Sequence, residues 1–169
     1  TMKVPDLRER SAREMVGGSG EWESDYAAGV TPDDMLLVGF KTDKLKPLTG
    51  KTLAEVAEMR GTDPQMTAMD LIIEDGSRVS TVYFDQSEDV VRKVIALPWV
   101  SFNSDEASLA PEGVFLESNP HPRAYGSFAR VLGKYVRDEQ LIPMEEAIRK
   151  LAALPSQNLR LDRRGQLKG

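Results

Sequence analysis

The chain has 169 residues, of which 27 are acidic and 22 are basic, and it contains one histidine and no cysteine. Its length predicts one domain or little more, and 40% apolar with 29% charged residues is typical of a globular protein. The net charge of -5 argues against nucleic acid as the main partner, because phosphate binding requires concentrated Lys and Arg. The absence of cysteine excludes disulfides and thiolate metal sites, and a single histidine excludes a site built from several histidines of this chain.

No part of the sequence has the pattern of a membrane span or of a signal peptide. The longest apolar run, Val94–Val100, falls far short of the roughly 20 residues that a bilayer helix needs. The start has no hydrophobic targeting region, so we predict a cytoplasmic protein that binds no membrane. Because Thr1 precedes Met2 and the polar end at Gly169 completes no element, we expect both ends to be cuts in a longer sequence.

The first 50 residues predict a helix followed by short strands. Residues 5–16 have the spacing of a helix, which the glycine-rich run Gly17–Gly20 interrupts. Met35–Phe40 is predicted as a strand. Leu45–Leu48 is predicted as a second, short strand, and Pro47 within it predicts a position at the edge of the sheet.

Two further helices have clear start and stop signals. Thr52 and Glu55 form a capping-box pattern, and Gly61 is placed to end that helix. Asp63 and the proline after it open the next helix, because Asp caps helix starts and Pro fits the first helical position.

An alternation of element types follows. Val79–Phe84 is predicted as a strand, Ser87 as the cap of a helix, and Trp99–Phe102 as a second strand, which together form one βαβ unit with parallel strands. Such a pair needs more strands, and we expect them outside this chain rather than in residues 35–48. Two amphipathic helices come next. The inner face of the first is predicted as Phe128, Val131, Leu132, Tyr135 and Val136, and that of the second as Met144, Ala147, Ile148 and Leu151.

Chemistry in α/β folds lies at the carboxyl ends of the parallel strands, and Asp105 follows the predicted strand Trp99–Phe102. A carboxylate there could act as a general base, orient a water molecule or ligate a metal, or it could simply cap a turn. His121 lies between two prolines, which favours a hydrogen-bonded loop residue over a ligand. Arg123 could bind a carboxylate with its fork of donors or pair with acidic residues at the surface.

Several segments together resemble one protein family. These segments are Ser104-Asp105, the run His121-Pro-Arg-Ala-Tyr-Gly and its continuation to Val136, Met144–Pro155, and Leu161–Gly165. Through these segments, residues 101–169 resemble the C-terminal part of the barrel of one family, the N-acyl-D-amino-acid deacylases (D-aminoacylases). That family belongs to the amidohydrolase superfamily. Residues 50–100 resemble the last helix–strand repeats of that family more loosely, and residues 20–48 resemble a segment inserted before those repeats.

The resemblance implies the C-terminal portion of a (β/α)8 (TIM) barrel of a metal-dependent hydrolase, with part of an inserted segment. Residues 1–48 would form a helix plus the inserted, lid-like segment. Residues 49–169 would form the last βα units of the barrel and the C-terminal helices.

The resemblance also implies a reaction, in which zinc-activated water attacks the amide bond of a small anionic N-acyl-D-amino acid. Asp105 matches the aspartate that takes and returns the proton, and Arg123 matches the arginine that binds the substrate carboxylate. We assign Ser104 and His121 to substrate binding on the same basis. The metal-binding histidines of the family are missing, so Asp105 is the one candidate metal ligand, and Zn2+ would need ligands from a longer chain. We therefore expect the isolated 169 residues to be inactive and to self-associate.

Two departures from the family pattern affect substrate preference. Glu106 replaces the glycine usual after Ser-Asp, and the loop from Glu106 to Pro120 is longer than is typical. Two alternatives stay open: a non-catalytic binding or assembly module derived from a partial barrel, and an amidohydrolase of the hydantoinase or dihydroorotase type. The His-Pro-Arg-Ala-Tyr-Gly run argues against the latter.

Overall fold

The computed structural model describes residues 4–167 except 19, 21 and 118, and it divides the chain into two compact units, Thr1–Asp85 and Gln86–Gly169. Each unit has its own hydrophobic core. Residues 1–3 and 168–169, on which the expectation of cut ends rests, lie outside the described residues, as does Ser19 of the glycine-rich run. The division predicted at residue 48 stays a prediction.

The first unit begins with the predicted helix, α1. Its later helices start and stop where the sequence signals indicated. The Thr52 hydroxyl accepts a hydrogen bond from the Glu55 N–H at 3.2 Å, and the Glu55 carboxylate accepts one from the Thr52 N–H at 2.7 Å. Gly61 ends this helix in the left-handed conformation that glycine adopts without strain. The elements are α1 (Pro5–Gly17), a 3-10 turn (Pro32–Asp34), β1 (Met35–Gly39), a second 3-10 turn (Lys46–Leu48), α2 (Leu53–Arg60), α3 (Pro64–Asp75) and β2 (Ser80–Tyr83).

The sheet differs from the predicted βαβ unit. β1 and β2 pair antiparallel, with Met35 opposite Tyr83 and Leu37 opposite Thr81. The predicted parallel pair is therefore wrong, because β2 finds its partner in residues 35–39 and Trp99–Phe102 forms no strand. Met35 and Leu37 are buried on alternate positions of β1, so pairing with β2 covers their backbone while both side chains enter the core.

The predicted edge strand Leu45–Leu48 is also wrong. Residues 46–48 form a 3-10 turn with Pro47 near its start. A proline there loses no hydrogen bond and has a suitable φ, whereas in a strand it would remove a donor from the ladder.

The second unit is helical in its described part. Its core contains Ile95, Val131, Tyr135, Val136, Ile142 and Ala147. The predicted amphipathic helix is confirmed, except that Phe128 is exposed. For the following helix the inner face is wrong in part, because Met144 and Ile148 are exposed while Lys150 is fully buried. The elements are α4 (Glu88–Ala96), a 3-10 turn (Gly113–Glu117), α5 (Arg123–Arg130) with a π-helical continuation (Val131–Asp138), α6 (Met144–Ile148) with a π-helical continuation (Arg149–Ala153), and α7 (Leu154–Asn158).

A charged cluster connects α4 to the π-helical segment after α5. The Glu88 carboxylate lies 2.8 Å from the Lys134 Nζ and 2.5 Å from Arg130, and it accepts a hydrogen bond from the Tyr135 hydroxyl at 3.0 Å. The ammonium of Lys134, the guanidinium of Arg130 and the Tyr135 hydroxyl lower the pKa of Glu88 to about 2.

No described helix is both long and apolar enough to cross a bilayer.

A buried carboxylate fixes the turn after β1 in the first unit. Asp75 is 5% exposed, and it accepts hydrogen bonds from the Lys41 N–H at 3.1 Å and from the Thr42 N–H at 2.8 Å. The hydroxyls of Thr42 and Ser77 donate as well. Burial alone would raise the pKa of Asp75, but the hydrogen bonds from Ser77, Thr42 and Lys41 outweigh it and hold that pKa well below its usual value.

We expect Asp75→Asn to lower the free energy of unfolding by about 2 to 3 kcal/mol at pH 7, because an amide cannot accept all of these bonds. Because the pKa of Asp75 is lower in the folded than in the unfolded protein, where it is near 4, its ionised form stabilises the fold at a pH above about 4. This stabilisation is lost as the pH falls below that value. The difference between wild type and variant should therefore narrow from pH 7 to pH 3 in urea unfolding followed by circular dichroism. Asp63→Asn, at an exposed helix cap without a side-chain bond, is the matched control and should stay near wild type. A difference that does not change with pH would contradict the proposed role of the carboxylate.

Candidate functional site

The segment between α4 and α5 carries the residues singled out from the sequence. It leaves the core of the second unit at Phe102, whose side chain packs against that core and whose N–H donates to the Lys150 carbonyl at 3.5 Å. Its other end is the start of α5 at Arg123. Both ends of the segment therefore have defined contacts.

Asp105 lies in a tight turn near the start of this segment. The Asn103 side chain accepts a hydrogen bond from the Asp105 N–H at 2.8 Å, so the turn is capped by Asn103. Asp105 has φ of 49°, in the left-handed region that aspartate tolerates better than most residues. Its side chain is 86% exposed, and Ser104 beside it is half-buried. The carboxylate of Asp105 is thus accessible to a ligand.

Arg123 brings the two ends of the segment together. Its Nη2 lies 3.4 Å from the Asp105 Oδ2, and its Nε lies 3.7 Å from the Glu106 Oε2. Its backbone N–H donates to the His121 Nδ1 at 3.0 Å, so the imidazole caps the start of α5. Of the four predicted site residues, the structure joins Asp105 and Arg123 through their side chains, and it places His121 beside Arg123 through the backbone.

The geometry around Arg123 suits the binding of a carboxylate. Guanidinium has five N–H donors in a planar fork, and its contacts with Asp105 and Glu106 are longer than ordinary charged hydrogen bonds. The contact with the exposed Asp105 carboxylate holds its donor loosely, so that donor can turn to a ligand at small cost. The site can therefore accept one carboxylate at Arg123, with the Asp105 carboxylate next to it.

Lys150 is a residue that the sequence reasoning missed. Its side chain is fully buried, and its Nζ donates to the carbonyls of Ile95 and Leu97, the latter at 2.7 Å. The ammonium also lies 4.9 Å from the centroid of the Phe102 ring, a cation–π distance. Burial lowers the pKa of Lys150. The signal that could have found it is its spacing of three from Ala147, which puts both on one helix face.

The described residues do not form a metal site. Across residues 4–167, apart from the three that are left out, no group of three or more His, Asp or Glu side chains is arranged to hold an ion. Asp105 offers one carboxylate, and that carboxylate faces the guanidinium of Arg123. A zinc ion does not fit this set of residues by itself.

Comparison with known proteins gives relatives of one kind, although no family model matches the chain. An N-acyl-D-glutamate deacylase of Alcaligenes xylosoxydans xylosoxydans is 36% identical over 118 residues, which are 70% of this chain and 22% of that protein. A D-aminoacylase of the same organism is 34% identical over 149 residues, which are 84% of this chain and 28% of that protein. The solved N-acyl-D-glutamate deacylase of Bordetella bronchiseptica is 30% identical, with a TM-score of 0.66. The match covers 85% of this chain and 27% of that chain. That structure is complexed with zinc and a phosphonate inhibitor that mimics the tetrahedral intermediate of the reaction.

A solved D-aminoacylase that defines a subset of amidohydrolases is 30% identical with a TM-score of 0.62 and covers 79% of this chain and 25% of that chain, so the chain lies among the amidohydrolases. Within them it belongs to the N-acyl-D-amino-acid deacylase family, and the resemblance drawn from the sequence is confirmed. The chain spans about a quarter of the length of the relatives it matches.

We expect Lys150→Met to lower the free energy of unfolding by about 2 to 3 kcal/mol, because the buried Ile95 carbonyl would lose its ammonium donor and the Leu97 carbonyl would keep the longer bond from the Val100 N–H at 3.3 Å. Methionine keeps most of the side-chain volume, so the loss measures the ammonium rather than a cavity. Lys93→Met, at an exposed position of α4, is the control and should change stability by no more than about 0.5 kcal/mol. Thermal and urea unfolding would measure both. A Lys150→Met protein as stable as the wild type would show that the buried ammonium contributes nothing net.

Proposed function

We propose that this chain is part of an N-acyl-D-amino-acid deacylase, in which Arg123 binds the carboxylate of the substrate and Asp105 transfers a proton during amide hydrolysis. The observation that carries the proposal is the ion pair between the Asp105 and Arg123 side chains, 3.4 Å apart at an exposed position. Since the match with the D-aminoacylase spans 84% of the chain, it necessarily includes the segment from Asp105 to Arg123. The N-acyl-D-glutamate deacylases among the relatives act by name on an anionic N-acyl-D-amino acid, which is consistent with an arginine as the binding group.

The roles of these side chains follow from their chemistry. Arg123 would hold the substrate carboxylate through two parallel N–H bonds, which fixes the position of the amide relative to the site. Asp105, adjacent and exposed, would accept a proton from the attacking water and return it to the leaving amine. Ser104, next to Asp105 in the sequence, and His121, which accepts the Arg123 N–H, would be further substrate-binding residues.

Zinc belongs to the proposal only through the longer protein. The Bordetella relative is complexed with zinc. Because the described residues form no metal site, ligands for such an ion would come from sequence outside this chain.

We also propose that the chain corresponds to the last units of a (β/α)8 barrel, with residues 1–48 as a helix plus the inserted segment. The TM-score of 0.66 to a solved deacylase over 85% of the chain supports this. The proposal requires that Trp99–Phe102, which is not a strand here, pairs with strands of the longer protein.

A binding or assembly module remains the second candidate, because large apolar side chains are exposed. Trp99 is 68% exposed and Phe84 is 62% exposed. Such side chains favour association with another protein surface, and they also support the proposed self-association of the chain. Self-association without binding of N-acyl amino acids would favour this candidate over a deacylase segment.

We expect N-acetyl-D-leucine to bind the 15N-labelled chain weakly, with amide shifts that are largest at Asp105, Glu106 and Arg123. Arg123→Met should abolish these shifts, and Arg123→Lys should weaken binding about tenfold, because lysine keeps the charge but loses the bidentate fork. Arg137→Met removes an exposed arginine whose ion pair among the described residues is with the neighbouring Asp138, and it should leave binding unchanged. Equal titrations of wild type and Arg123→Met would sink the proposed role of Arg123.

We expect the purified chain, after dialysis against zinc and then buffer, to contain far less than one zinc per chain and to hydrolyse no N-acetyl-D-leucine. The reason is the absence of a ligand set among the described residues. Elemental analysis and release of free leucine are the two measurements. Stoichiometric zinc in the dialysed chain would contradict the argument that ligands come from elsewhere.

A further inference from the structure

Glu106 occupies one edge of the guanidinium that the proposed substrate carboxylate needs. Its Oε2 lies 3.7 Å from the Arg123 Nε, and its Oε1 accepts a hydrogen bond from the Ala107 N–H at 3.1 Å. The Glu106 side chain is 21% exposed, compared with 86% for Asp105. Glu106 is thus the more firmly held of the two carboxylates beside Arg123.

The charges around Arg123 do not balance. One guanidinium faces the carboxylates of Asp105 and Glu106, so this cluster has a net charge of minus one before any ligand binds. In the described part of the chain, no other cationic side chain pairs with either carboxylate. A ligand with one carboxylate can use Arg123, whereas a second carboxylate on the same ligand meets uncompensated negative charge.

We propose that Glu106 is a specificity-determining residue, which disfavours N-acyl amino acids with an acidic side chain and thereby selects those with an uncharged one. The inference rests on the proposed function, since it assumes that Arg123 receives the carboxylate of the substrate. It concerns the charge of the substrate side chain, which the names of the relatives do not settle for this chain. Repulsion between like charges a few Å apart is large enough to decide between two such ligands in a partly exposed site.

Glu106→Gln tests the charge with little change in shape. The amide oxygen can still accept the Ala107 N–H, so the local turn keeps its hydrogen bond. We expect Glu106→Gln to strengthen binding of N-acetyl-D-glutamate about tenfold and that of N-acetyl-D-leucine only about twofold to threefold, because the dianion loses two repulsive interactions and the monoanion one. NMR titration of the 169-residue chain with each compound, at low and high salt, gives both affinities. The gap between wild type and variant should shrink at high salt.

Two control variants test whether the effect of Glu106→Gln comes from its contact with Arg123, from the change in net charge or from a change in folding. Glu112→Gln removes the same charge from the same segment, at an exposed residue that forms no ion pair with any described residue, and we expect the wild-type preference. Glu106→Asp keeps the charge and should also keep that preference, while circular dichroism confirms that each variant is folded. Glu106→Gln with an unchanged ratio of the two affinities would overturn the inference and leave the proposed function intact, as would an equal effect of Glu112→Gln. If the wild type binds neither compound, the proposed function fails, and this inference fails with it.

Discussion

The arrangement of the second unit depends on the buried ammonium group of Lys150. Its hydrogen bonds go to the carbonyls of Ile95, in the last turn of α4, and of Leu97, just after it, where carbonyls lack intrahelical partners and the helix dipole favours a cation. A buried cation without such partners would be strongly destabilising, so Lys150 can be buried here because these carbonyls accept its hydrogen bonds. Because Phe102 contacts the same ammonium and bonds to the Lys150 carbonyl, this one residue also fixes where the site segment begins.

A fixed start and a fixed end explain how an exposed segment can still present a defined site. Phe102 is held by the core, and Arg123 begins a helix whose first N–H is capped by His121. Between these two points Asp105 lies on the surface with its backbone in a left-handed turn. Functional side chains commonly occupy such loops on a rigid scaffold, since the loop can adapt while its ends stay in place.

The helices could be predicted from the sequence, whereas the sheet could not, and the reason is the distance over which each signal acts. Thr52, Glu55 and Gly61 specify the start and the end of α2 through contacts within three or four residues. The pairing of Met35 with Tyr83 depends on residues nearly fifty positions apart, and the local pattern of either strand is compatible with a parallel or an antiparallel partner. Lys150 was missed for a related reason: its spacing from Ala147 puts it on the buried helix face, but a lysine is rarely buried unless it is paired, and its carbonyl partners lie more than fifty positions earlier in the chain. For the candidate site, spacing alone left turn, ligand and base open for Asp105. The family resemblance indicated the residue pair, but the contact of Arg123 with Glu106 required coordinates.

The free energy of binding at Arg123 is a difference between two sets of ion pairs. Partly exposed pairs at 3.4 and 3.7 Å contribute little, typically no more than about 1 kcal/mol, so replacing the more exposed one, with Asp105, by a ligand carboxylate is nearly balanced. In a nearly balanced exchange, the shape of the guanidinium fork sets where the carboxylate lies, but it does not distinguish one N-acyl amino acid from another. The remaining charge of the ligand then decides, because it interacts with whichever carboxylate stays in place. Selectivity at this end of the site therefore follows from electrostatics more than from steric fit, and it is most sensitive to the residue next to Asp105.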